Sequence, residues 1–177
     1  MSLGELNRYA FYDPAKKYTR NLIACDDKFT LMLLCWNADR ASPIHDHPCQ
    51  GCWMRVAWGT LQESRYALDR ETNTVVPTTT SVGVAGDVIY IDDSLGLHKV
   101  AALGGKPAAS LHLYSPQYKS CRIWLDGAPA DGALRPIVTY HSEYGALVSY
   151  EKVEASALCD GSASGSDASP SGGAGAP

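Results

Sequence analysis

The chain has 177 residues, 45% of them hydrophobic, which is the length of one domain with enough apolar material for a core. Its 19 acidic and 15 basic residues give a formal charge of −4 spread along the chain, which excludes a broad nucleic-acid footprint and a polybasic membrane patch. No apolar run reaches the length of a secretory signal or a spanning helix, so a cytoplasmic protein away from the membrane is expected.

The predicted elements are short strands. Residues 29–36 form an apolar run, and residues 52–58 form a second one closed by Gly59. Residues 60–68 alternate, 88–91 run into Asp92 and Asp93, 109–114 alternate again, and 136–140 are β-branched. Gly, Pro, Asp and Asn separate these pieces at short intervals, long helical periodicity is absent and no internal repeat occurs. Short strands at this spacing predict an antiparallel barrel or sandwich. From residue 155 the chain turns to Ala, Gly, Ser, Pro and Asp, too poor in apolar side chains to offset the entropy of ordering. The expected organisation is one domain over residues 1–154 and a disordered tail over 155–177. The six cysteines, Cys25, Cys35, Cys49, Cys52, Cys121 and Cys159, are even in number, but no disulfide framework is expected without a secretory signal. A structural zinc site on paired cysteines is not expected either.

Histidine is the informative residue type. His45 and His47 flank Asp46, and in an extended chain residues two apart face the same way, so two imidazoles can meet at one point. Taken without the rest, the same pair fits two exposed histidines in the loop after Ser42 and Pro43 equally well. His98 follows a strand and a turn of Asp, Ser and Gly, and spacing does not separate a third ligand from a turn histidine. Ser110, His112 and Tyr114 share one face of a strand whose other face holds Leu111 and Leu113. That face is either a polar barrel interior or, more commonly, the solvent side of a half-buried strand.

Five segments in this order resemble the cysteine dioxygenase family of the cupin superfamily. They are Tyr18-Thr19-Arg20-Asn21-Leu22; Leu33-Leu34-Cys35-Trp36; Ile44-His45-Asp46-His47 with Cys52 five residues on; Asp93-Ser94-Leu95-Gly96-Leu97-His98; and Ser110-Leu111-His112-Leu113-Tyr114-Ser115-Pro116. The general cupin motif keeps its spacing through Cys52 to Gly59, but Cys52 stands where the acidic ligand usually does. The resemblance implies an all-β, jelly-roll-like antiparallel barrel of cupin type. It implies Fe(2+) held by His45, His47 and His98, and oxidation of L-cysteine by O2 to its sulfinic acid. Three neutral imidazoles leave more positive charge on the metal than a set with a carboxylate, which favours a bound thiolate.

The same resemblance gives the remaining roles. Arg20 matches the arginine that grips the substrate carboxylate, with Tyr18 beside it. Cys52 and Tyr114 match a pair that forms a thioether crosslink, and Ser110 and His112 match the groups that orient the phenol. Cys121 matches a cysteine at the pocket mouth, while Trp36 packs on the site or belongs to the core. A monomer with no nucleic-acid or membrane partner is expected. The family carries a helical segment before the Tyr-Thr-Arg stretch, most of which is missing here. Two other readings compete: a dioxygenase for 3-mercaptopropionate, which lacks an arginine at the position of Arg20, and an inactive cupin binding protein. A zinc hydrolase needs a general base beside the metal, and the sequence nominates no acidic residue near the histidines.

Overall fold

The computed structural model describes residues 1–148 except 49, 118, 126–131 and 137–138. A short helix α1 (Leu3–Asn7) precedes the strands β1 (Tyr18–Cys25), β2 (Thr30–Trp36), β3 (Ile44–His45), β4 (Gly51–Trp58), β5 (Thr60–Asp69), β6 (Thr74–Val84), β7 (Val88–Ile91), β8 (Leu97–Ala102), β9 (Ala108–Ser115), β10 (Ser120–Trp124), β11 (Ala133–Pro136), β12 (Ser142–Glu143) and β13 (Ala146–Leu147). A 3-10 turn, Asp93–Leu95, leads into β8. The expected strands are found except at 136–140, where only Pro136 belongs to a strand, Thr139 and Tyr140 lie outside any strand, and residues 137 and 138 are outside the described residues. The tail from 155 onward also lies outside them.

The strands form two sheets, a seven-stranded one in the order β13-β12-β1-β2-β9-β4-β7 and a six-stranded one in the order β11-β10-β3-β8-β5-β6. Pairing is antiparallel except between β1 and β12. Alternation decides what enters the space between the sheets. Leu34, Ser110 and Val56 line up across β2, β9 and β4; Met32, His112 and Met54 form the next row. All of these are buried, as are Leu61, Val100 and Ala102 from the facing sheet. The face carrying Ser110, His112 and Tyr114 is therefore the barrel interior, with exposures of 0%, 3% and 6%.

Helix α1 was not foreseen, because its five residues are too few to show a period. Ser2 and Glu5 form a capping box, satisfying backbone donors at the first turn. Burial holds this segment: Leu6 and Tyr9 lie on Leu33, Cys35, Ala57 and Ala109, on the outer face of the seven-stranded sheet. At the other edge, β6 is almost wholly exposed and carries Pro77, which removes a donor from an edge strand and discourages pairing with another chain. Gly59 closes the β4–β5 turn at φ +79°, and a Cβ there would meet Ala108 at 2.6 Å.

Candidate metal centre

Strand pairing builds the centre. His45, at the end of β3, is the direct cross-strand partner of His98 on β8. His47 lies two residues beyond His45, and its backbone N–H donates to Asp93 Oδ1 at 2.6 Å, fixing the loop over the turn that precedes His98. The three imidazole centroids are 4.5 to 4.9 Å apart. One ligand atom from each ring lies within 4.8 Å of the others.

Hydrogen bonds at the outer nitrogens fix two tautomers. His45 Nδ1 is 3.0 Å from the Pro43 carbonyl oxygen, and His98 Nδ1 is 2.9 Å from Glu63 Oε1. Both partners only accept, so both Nδ1 atoms carry the proton and both Nε2 atoms present lone pairs. Those Nε2 atoms face each other at 3.2 Å. Two lone pairs at that distance repel unless a cation lies between them. Both ring nitrogens of His47 are buried without a partner among the described residues, a cost that a ligand would remove. Burial holds His45 down to about 4 and His47 and His98 well below the ordinary histidine range. The rings are neutral at pH 7, the form a metal requires. On these grounds the residues fit a divalent transition metal.

The ligands have their own support. Glu63 accepts from His98 and, through Oε2, from Arg65 Nε at 3.0 Å; Arg65 Nη2 donates to the Tyr90 carbonyl at 2.8 Å. This corrects the expectation that no acidic residue stands near the histidines. Glu63 contacts the outer nitrogen of His98, away from the converging atoms. A general base at the metal is thus still lacking in this residue. The signal was present: Leu61, Glu63 and Arg65 alternate on one face of β5, so a buried Leu61 puts both charges in the inward row. Cys49 and Cys52 stand at Cys-x-x-Cys spacing, that of paired zinc ligands. Cys49 lies outside the described residues, and Cys52 faces the barrel interior.

Beside the histidines is a small pocket lined by Tyr18, Arg20, Trp36, His45, His98, His112, Tyr114 and Cys121, among others. Its volume is about 30 Å³, space for about two or three water-sized groups. Arg20 Nη2 donates to the Tyr18 hydroxyl at 3.1 Å, and the guanidinium lies 5.2 Å from the Tyr18 ring. Trp36 packs against Tyr18 with ring centroids 4.7 Å apart and donates Nε1–H to Ser110 Oγ at 2.9 Å, so it belongs to both the core and the site. Ser110 then keeps its own proton for His112 Nε2 at 2.8 Å, which leaves His112 Nδ1–H to donate to the Tyr114 oxygen at 3.2 Å. Burial holds His112 down to about 3, so this relay is neutral. Cys52 and Tyr114 are cross-strand partners on β4 and β9, and Cys52 Sγ lies 3.8 Å from His112 Nδ1. The structure thus brings the predicted site residues together: Tyr18, Arg20, His45, His98, His112 and Tyr114 line the pocket, and His47, Ser110 and Cys52 contact its lining.

Known proteins resemble this chain in fold and in sequence. Similar solved structures include a Klebsiella pneumoniae protein with a double-stranded beta-helix domain, with TM-score 0.52 and 14% identity, covering 71% of this chain and 96% of that one. The Thermus thermophilus protein TT1209 matches with TM-score 0.51 and 16% identity, covering 64% and 95%. At these identities they speak for the fold only. Among curated relatives, cysteine dioxygenase type 1 of Bos taurus is 36% identical over 140 residues, 77% of this chain and 68% of its own length. The Danio rerio protein of the same name is 37% identical over 148 residues, 81% and 72%. The model of the family Cysteine dioxygenase type I matches residues 2–126, a span that contains every residue of the site just described. With the family model matching residues 2–126 and relatives 36% and 37% identical over 77% and 81% of its length, this chain belongs to the cysteine dioxygenase type I family.

Proposed function

We propose that this chain oxidises the thiol of L-cysteine to a sulfinic acid with an iron(II) cofactor, adding both atoms of O2 to sulfur: R–SH + O2 → R–SO2⁻ + H⁺. One observation carries the reading. Two imidazole lone pairs face each other at 3.2 Å in the wall of a small pocket that also contains Arg20. Membership of the family supports the reaction. Bound by His45, His47 and His98, iron supplies a Lewis acid for the thiolate and the one-electron chemistry that dioxygen requires, which zinc lacks.

The remaining chemistry belongs to the protein. Arg20 offers a planar fork of donors to the substrate carboxylate, and Tyr18 holds the guanidinium in place. The pocket lined by Tyr18, Arg20, His45 and His98 suits a compact thiol that carries a carboxylate. Fixing carboxylate and sulfur together converts a bimolecular encounter into a positioned one. As S–O bonds form, negative charge develops on oxygen. The Trp36–Ser110–His112 relay points the Tyr114 hydroxyl at the pocket, where it donates to that oxygen. The cross-strand placement of Cys52 and Tyr114 supports a thioether between Sγ and the ring carbon beside the phenol oxygen. Forming it removes one hydrogen from each residue, and the two electrons pass to dioxygen.

The test is oxygen uptake by iron-loaded protein with L-cysteine, 3-mercaptopropionate and cysteamine, with each product identified. L-Cysteine is expected to give sulfinate with stoichiometric oxygen consumption. Preference for 3-mercaptopropionate would overturn the substrate assignment. No uptake with any thiol would leave a binding protein. For the crosslink, intact mass should show wild type two hydrogens lighter than its sequence and Tyr114→Phe at full mass; wild type at full mass after turnover would contradict it.

A further inference from the structure

Glu63 is 2% exposed and is absent from the pocket wall. Burial of a carboxylate is costly unless it is paired and hydrogen-bonded. Here it is both: Oε1 meets His98 Nδ1 at 2.9 Å and Oε2 meets Arg65 Nε at 3.0 Å. Arg65 in turn reaches across to the other sheet, donating Nη2 to the carbonyl of Tyr90 on β7. The Tyr90 hydroxyl lies 2.8 Å from two acceptors that share its proton, Asp92 Oδ2 and the Gln50 carbonyl oxygen in the segment that follows His47. One chain of contacts thus runs from a candidate ligand, through a part-buried ion pair, to the loop of another candidate ligand.

Resting on the metal-centre reading above, we propose that Glu63, braced by Arg65, is a positioning residue that sets the affinity of the centre for its divalent cation. The carboxylate accepts only, so it forces the proton of His98 onto Nδ1 and turns the Nε2 lone pair inward. It also fixes the ring plane. Arg65 does two further things. It offsets the cost of burying Glu63, and its charge cancels the carboxylate's. The orienting group therefore adds no net charge to a set of three neutral ligands. The three imidazoles are supported unequally, by a carboxylate for His98, by the Pro43 carbonyl for His45, and by no partner of the ring nitrogens among the described residues for His47. Glu63 is accordingly the strongest outer support in the centre.

The experiment is anaerobic titration of metal-free protein with Fe(II), and separately with Co(II), for wild type, Glu63→Gln and Glu63→Ala. Melting of each metal-free protein is followed in parallel. Glu63→Ala is expected to lose about 10- to 100-fold in metal affinity. Glu63→Gln keeps an acceptor oxygen for His98 and is expected to fall between the two, with a Co(II) absorption spectrum close to wild type. A merely structural role would lower the melting temperature while leaving the affinity of the folded protein alone, and that result would overturn the proposal. So would Glu63→Gln binding no better than Glu63→Ala. If Glu63→Ala does not fold, the decision rests on Glu63→Gln: weakened binding supports the role, and wild-type affinity overturns it. Wild type that binds no metal would instead sink the reading of the centre itself.

Discussion

His47 holds two buried ring nitrogens that nothing in the described protein satisfies. An unsatisfied buried polar group costs about 1–3 kcal/mol, so the metal-free protein carries a penalty that the metal removes. Replacing His47 with Leu should therefore leave the melting temperature of metal-free protein equal or higher, while abolishing the upward shift that metal produces in wild type. A lower metal-free melting temperature would show that His47 is satisfied in some other way. Arg20 makes a different prediction. Hydrogen bonds to a charged group are worth about 1.5–3 kcal/mol, so Arg20→Ala should raise KM for L-cysteine by about 10- to 100-fold with metal content preserved. Arg20→Lys should recover little, since it keeps the charge and loses the fork. A KM unchanged in Arg20→Ala would remove this residue from carboxylate recognition. At this scale the sequence was partly legible. The spacing of His45 and His47 announced a shared face, and the parity of Ser110, His112 and Tyr114 announced another. Parity does not say which face is inside. That depends on the pairing of β9 between β2 and β4, which is set by residues far away along the chain.

The ladder β3–β8–β5 is the element that makes the centre, because it places His45 against His98 and His98 against Arg65. Gly96 begins this ladder. It has φ +101°, and a Cβ there would lie 2.5 Å from the carbonyl oxygen of Tyr66 on β5. Gly96→Ala must separate β8 from β5 or strain the turn, at a cost of about 1–3 kcal/mol. Melting temperature and Fe(II) affinity should fall together, because His98 moves with the strand. A fall in melting temperature with affinity unchanged would show that the turn does not position His98. The N-terminal segment offers a contrast. A five-residue helix has no stability of its own in water, so α1 stays in place through the burial of Leu6. Leu6→Ala should cost about 2–4 kcal/mol and leave metal affinity unchanged, since Leu6 packs on the outer face of the sheet. The helix escaped the sequence reading for the same reason that it needs the sheet: it is shorter than any pattern it could display. Glu63 escaped because its neighbour His98 lies 35 residues away, joined only through strand register.

Across the whole molecule, the predicted class of short antiparallel strands was legible from alternation and turn residues, and the order of five motifs narrowed it to one family. The third ligand came from that order, because His45 and His98 are 53 residues apart and no local pattern links them. The fold also stores protonation energy away from the site. Burial pushes the Cys35 thiol up to about 12 from 9.0, and burial pushes the Tyr12 phenol up to about 12 from 10.0. The folded state holds these two protons more tightly than the unfolded chain does. Their contribution to stability is complete below about pH 9, declines as the unfolded thiol and then the phenol ionise, and is lost as pH rises through about 12. Melting temperature should thus fall with pH above about 9, and less steeply when Cys35→Ala and Tyr12→Phe are combined; equal slopes in the double variant and wild type would locate the alkaline sensitivity elsewhere.

The central claim is that a metal on His45, His47 and His98 serves the addition of dioxygen to the sulfur of L-cysteine. Turnover of L-cysteine by iron-loaded protein under ¹⁸O2, followed by mass analysis of the product, tests it most directly. The account predicts cysteine sulfinate with both sulfinate oxygens labelled, and no product when His98→Ala replaces wild type. Cystine as the product, or sulfinate whose oxygens come from water, would contradict it.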